Sequence, residues 1–169
     1  MELYSRFLQS QSFPLMLLTY TVDERYSVRL VYNPAFYWGT TTVVDQDGQY
    51  FVNSDVSSYY GIQFNTETGK AVIGIVGAKF AEKMPSLNMS FRDIPYTFTS
   101  SGYVLETPEL IPLIGETPYP DYKITNVKLM GSLDGRQTLE FTCTIDTERM
   151  SGSYHVMAAL EIIPAQNNN

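Results

Sequence analysis

The stretch Thr138-Leu-Glu-Phe-Thr-Cys-Thr-Ile-Asp146 decides the fold. Leu139, Phe141, Cys143 and Ile145 alternate with Glu140, Thr142, Thr144 and Asp146. A period of two sends one set into a core and the other into solvent, as a half-buried β-strand requires. Asp134-Gly135 just before it is a hairpin signal, with Asp121 to Leu133 as the strand on its other side. After it, Tyr154 to Ile163 repeats the pattern, with Tyr154, Val156, Ala158, Leu160 and Ile162 facing in.

Further toward the N-terminus the same signals recur. Leu15 to Val22 and Tyr26 to Tyr32 read as two strands around the polar turn Asp23, Glu24, Arg25, ended by Asn33 and Pro34. Tyr37 to Val44 follows, then the turn Asp47-Gly48 into Tyr50, Phe51 and Val52, then Tyr59 to Phe64, closed by Thr66 to Gly69. Ala71 to Val76 is apolar on both faces, the pattern of a strand covered on both sides. The one helical expectation is a turn or two over Ala78 to Met84, stopped by Pro85. Leu87 to Arg92 and Ile94 to Phe98 form strands across a bend, and Tyr103 to Thr107 another. Four prolines from Pro108 to Pro120 then predict an extended, irregular connection.

About eight to ten strands at short spacing predict an all-β fold, a single antiparallel β-barrel or sandwich. At 169 residues and 44% hydrophobic content the chain has material for one core, and no shift in composition marks a second domain. The expected organisation is one domain over 1–164 with a disordered tail at 165–169. Thirteen tyrosines and nine phenylalanines favour the pleated surface of a sheet, where flat rings pack against their cross-strand neighbours.

The formal net charge of -7 repels a phosphate backbone or an anionic membrane surface, so nucleic acid is not an expected partner. The apolar stretch Phe13 to Leu18 is too short to span a bilayer, and no transmembrane segment or signal peptide is read here. His155 and Cys143 are the only residues of their types. Metal sites and most hydrolytic machinery therefore lack material, and neither a metal nor a cofactor is expected.

His155 shares a strand face with Ser153, but a catalytic base needs an aligned nucleophile and usually a third, orienting group, and no Gly-x-Ser-x-Gly elbow occurs. The bland reading is a surface histidine. Asp45-Gln46-Asp47-Gly48 resembles the opening of a calcium loop but lacks its closing glutamate, and reads as a hairpin turn. Glu106, Glu109 and Glu116 are spread along the proline-rich connection with nothing to pair two of them across a cleft. Asn88-Met89-Ser90 is a glycosylation sequon inside a predicted strand, and carries no weight. No catalytic residue is assigned, and no enzymatic activity is expected.

Aromatic residues gather at Phe36-Tyr37-Trp38 before Gly39 and at Tyr59-Tyr60 before Gly61. Consecutive positions on a strand point to opposite faces, so each cluster presents a ring away from the main core unless both faces are covered. Trp38, Tyr37, Tyr59 and Tyr60 are thus the candidate ligand-binding residues. The competing reading has these rings capping the barrel ends.

Gly77-Ala-Lys-Phe-Ala-Glu-Lys-Met-Pro85, Leu87-Asn-Met-Ser-Phe-Arg-Asp-Ile-Pro95 and Pro118-Tyr-Pro-Asp-Tyr-Lys-Ile-Thr-Asn126 resemble single-domain envelope lipoproteins of gut Bacteroidetes with a lipocalin-like or calycin-like barrel. The resemblance covers roughly residues 60–144. It implies export to the periplasm or outer cell surface, anchored through a lipidated cysteine upstream, and carries no functional residue across. The lipocalin opening, Gly-x-Trp, is not met by Trp38-Gly39, which leaves barrel closure and an internal cavity open. The expected function is a non-enzymatic cell-envelope binding module for a small or glycan-like ligand. Alternatives are a structural or protein-interaction component of a surface assembly, and a carboxylate-dependent hydrolase.

Overall fold

The computed structural model of the chain describes residues 15–23, 25–33, 35–53 and 58–163. It is all-β, and the alternation of the sequence becomes a closed eight-stranded antiparallel barrel with extra strands. The wall starts with β3 (Ala35–Asp45) and continues through β5 (Tyr59–Asn65), β6 (Lys70–Ala78), β7 (Leu87–Phe98), β8 (Gly102–Leu110), β11 (Tyr122–Ser132), β12 (Arg136–Asp146) and β13 (Ser151–Ile162). Each wall strand pairs with the next, and β13 returns to β3 in the register Val156 to Val43. Closure settles the choice between barrel and sandwich, and leaves the wall without a free edge.

Five short or peripheral strands stand off the wall. β4 (Tyr50–Asn53) pairs with the second half of β3 while β5 takes its first half. Within the proline-rich connection, β9 (Leu113–Ile114) and β10 (Thr117–Pro118) form a small hairpin against β7, turning at Gly115 with φ +62°. Strands of two residues are too short to show a period, so the sequence reads there only as irregular. β1 (Leu15–Asp23) and β2 (Arg25–Asn33) pair with each other as a separate two-stranded sheet. The expected tail at 165–169 lies outside the described residues.

Two wall strands bend at residues with left-handed backbone. Asp93 (φ 58°) lies in β7 opposite a register shift in β6, and Asn126 (φ 54°) sits at the shift in β11 between Thr125 and Lys128. Asp and Asn tolerate this region better than other side chains, and such bulges sharpen the curvature that lets a sheet close. Gly39 serves closure differently. A Cβ there would stand 1.9 Å from the Ala159 carbonyl oxygen, so only glycine lets β3 and β13 approach.

The expected helix over 78–84 is absent. Ala78 ends β6, and residues 79–86 form a loop whose Met84 N–H donates to the Ala81 carbonyl at 3.1 Å. Seven residues before a proline give too few hydrogen bonds to repay helix nucleation. The apolar side chains gain more by turning into the barrel, and Phe80, Ala81 and Met84 are buried there. Phe80 meets Phe141 edge-on at 5.2 Å, and Phe141 meets Phe91 at the same separation. The loop is a plug.

Candidate functional site

The barrel interior is occupied along its length. Beyond the Phe80–Phe141–Phe91 stack, Phe64 packs against Tyr96, Phe98 and Tyr103 with ring centroids 5.0, 5.8 and 4.9 Å away. An eight-stranded barrel is just wide enough either to be filled by side chains or to hold one small ligand. Here rings fill it. A few polar groups are satisfied among them: Tyr60 and Thr41 share a hydrogen bond of 2.6 Å, Tyr37 and Tyr103 one of 3.3 Å, and Gln137 Nε2 donates to the Tyr103 hydroxyl. Gln137 Oε1 is buried without a partner among the described residues.

This arrangement divides the four aromatic candidates. Tyr37 and Tyr60 are opposite each other in the β3–β5 ladder and point inward, each 4% exposed. Trp38 and Tyr59 point outward, 47% and 37% exposed. Phe36 joins them, 46% exposed and edge-on to Tyr59 at 6.0 Å. The four do not converge on one surface, because neighbouring strand positions alternate faces. The outer trio Phe36, Trp38 and Tyr59 is the surface that remains. Gly39 beside Trp38 admits the backbone of β13 rather than a ligand.

An opening with mixed chemistry lies at the plugged end of the barrel, at residues the sequence does not single out. A cleft of about 450 Å³ is lined by Asp45, Gln49, Tyr50 and Phe51 from the β3–β4 turn, by Phe80, Glu82 and Lys83 from the plug, and by Arg149, Met150 and Tyr154. Asp45 Oδ1 accepts the N–H groups of Asp47 (2.9 Å) and Gln49 (2.8 Å), so the Asp45–Gly48 segment is the turn its sequence suggests. Lys79 holds its ammonium 5.6 Å from the Phe51 ring centroid. Burial, and then the nearby Asp45 carboxylate, raise the Tyr154 phenol above its ordinary value. The cleft thus offers rings and both signs of charge. The only hint in sequence was the polar turn before Tyr50 and Phe51, because its other walls come from distant segments.

The remaining candidates lie away from the cleft. His155 Nε2 lies 3.1 Å from Glu140 Oε1 in an exposed pair, with no third group among the described residues to make a triad. Cys143 has no exposed surface, and burial pushes its thiol up to about 12. Glu116 takes a forked contact of 2.9 Å from Arg92, and Glu109 pairs with Lys123 at 2.7 Å. Among the described residues no group of three potential ligands could hold a metal ion, and no helix is long and apolar enough to cross a membrane. An open groove of about 760 Å³ runs past the Asn126 bulge with Glu106 and Lys128 on its sides.

Fold and cleft together define the class: a closed, side-chain-filled antiparallel β-barrel with a ring-lined opening at its plugged end. No protein family matches the chain, and neither a curated protein nor a solved structure matches it.

Proposed function

We propose that this protein is a non-enzymatic binding module of the cell envelope that takes a small or glycan-like ligand in the cleft at the plugged end. The observation that carries the reading is the composition of that cleft. Tyr50, Phe51 and Tyr154 supply flat apolar faces, and Asp45, Gln49, Glu82 and Arg149 surround them with hydrogen-bonding groups. A sugar presents that combination of an apolar ring face and a polar rim, and small-ligand sites pair an apolar lining with a few placed polar groups. Tyr50 is 76% exposed, a position that suits stacking and adds nothing to the core. The envelope location and lipid anchor rest on the resemblance to Bacteroidetes lipoproteins with lipocalin-like barrels.

A second reading, a protein-interaction component of a surface assembly, is favoured by the outward Phe36, Trp38 and Tyr59. The hydrolase reading gains no support, since Glu109 and Glu116 each face a cation instead of another carboxylate.

Thermal shifts with a panel of neutral mono- and oligosaccharides separate the readings. A ligand at a hundred times its dissociation constant stabilises the folded state by about 2.7 kcal/mol. Tyr154→Ala or Tyr50→Ala should remove the shift while Trp38→Ala keeps it. Loss of the shift in Trp38→Ala alone moves the site to the outer aromatic patch, and no shift with any saccharide refutes the glycan assignment.

A further inference from the structure

Charge is unevenly partnered on this chain. Its net charge is -7, and Arg92, Lys123 and Arg136 each meet a carboxylate, Glu116 at 2.9 Å, Glu109 at 2.7 Å and Asp134 at 3.9 Å. The cations at the plugged end do not. Lys83 and Arg149 line the cleft, and the half-buried Lys79 holds its ammonium against Phe51, one of the cleft walls. None of these three has an ion-pair partner among the described residues.

The fold explains why they gather. Phe80, Ala81 and Met84 turn into the barrel, and a charged group cannot follow them without losing its hydration, so Lys79, Glu82 and Lys83 stay at the surface of the plug. Arg149 comes from the turn between β12 and β13, where the Thr147 N–H donates to the Met150 carbonyl at 2.9 Å and the Met150 N–H returns the bond at 3.3 Å. Against the three cations the cleft sets two carboxylates, Asp45 and Glu82. Asp45 already commits Oδ1 to the N–H groups of Asp47 and Gln49. Three cations less two carboxylates leave one positive charge in surplus.

We propose that the ligand of this cleft carries a single carboxylate and is an acidic sugar of the uronic acid class. The inference rests on the cleft being a sugar site and names the kind of sugar. Arg149 supplies a guanidinium that can meet a carboxylate with two parallel N–H bonds, Lys83 supplies a point charge, and Tyr50 and Tyr154 supply faces for the sugar ring. The surplus also sets the valence. A phosphate ester carries a charge of about -1.5 to -2 at neutral pH, and the carboxylates of Asp45 and Glu82 disfavour the second charge.

Isothermal titration calorimetry on the full chain tests this with two matched sets: glucose, glucuronate and glucose 6-phosphate, then galactose, galacturonate and galactose 6-phosphate. In the set that binds, the uronate should bind about tenfold tighter than its neutral sugar at low ionic strength, the contribution of one charge-assisted hydrogen bond. Added salt should shrink that margin, and the phosphate should bind no tighter than the uronate. Lys83→Gln and Arg149→Gln, both at exposed positions, should bring the ratio of the two affinities toward one, whereas Lys128→Gln, away from the cleft on β11, should leave it unchanged. A neutral sugar that binds as tightly as its uronate, or a preference that survives both cleft substitutions, overturns the carboxylate assignment and leaves the sugar site standing. A phosphate that binds tighter than the uronate overturns the single charge. No binding by any member of either set overturns this inference and the sugar site together.

Discussion

Cys143 stands in the barrel wall between Phe141 and Ile145 with no exposed surface, its thiol pushed up to about 12 by burial. Thiolate, the reactive form, is therefore scarce at neutral pH, and reagent has no path to the sulfur. A thiol reagent should label the native protein negligibly and react fully once denaturant is added. Rapid native labelling would contradict the register of β12. The buried phenols make a related prediction. Burial raises Tyr60, Tyr103 and Tyr122 above their ordinary value of 10.0. Above that pH the unfolded chain releases phenolic protons that the folded chain retains, so the stability present below it is lost as pH rises. The melting midpoint should fall steeply above about pH 10, with tyrosinate absorbance developing later in native than in denatured protein. A midpoint that holds level there would show these hydroxyls to be in contact with water.

Among the elements, the 79–86 plug and the outer aromatic patch make opposite demands on stability. Phe80 is 1% exposed and packs on Phe141, so Phe80→Ala should cost about 3–5 kcal/mol, as truncating a core ring does. Trp38 points outward, and Trp38→Ala should cost under about 1 kcal/mol. Chemical denaturation of both variants checks the pair. A large loss for Trp38→Ala would make it a packing residue, and a small loss for Phe80→Ala would mean the loop does not seal the barrel. The plug was legible in part. Phe80, Ala81 and Met84 are spaced so that a helix and a loop with inward side chains predict the same apolar positions, and only packing against Phe141 separates them.

For the molecule as a whole, the barrel depends on a seam between its two ends. The β13–β3 ladder joins Tyr37 to Ile162 and Val43 to Val156, pairing the first wall strand with the last. Such non-local pairing contributes only after the intervening chain is ordered, so the seam closes late and unfolding should be a single cooperative event. Removing residues 151–169 should abolish the sharp melting transition, because it exposes the edges of both β3 and β12 along with the inward faces of the wall. A truncated chain that still melts sharply would show an open sheet to be stable without closure.

Strand after strand was legible in the sequence because period-two alternation is a local property: Leu139 to Ile145 against Glu140 to Asp146, and Val156 to Leu160 in β13, need no tertiary knowledge to read. The turns Asp47-Gly48 and Asp134-Gly135 were legible for the same reason, since their glycines take positive φ within four-residue turns. Alternation also implied that Tyr37 and Trp38 must separate, but which of them faced the core depended on where Ala35 and Val43 were buried. Only the tertiary structure could decide closure over sandwich, the fate of the plug and the cleft at its end. Each of these depends on segments far apart in the chain, and local periodicity holds no information about which of them meet.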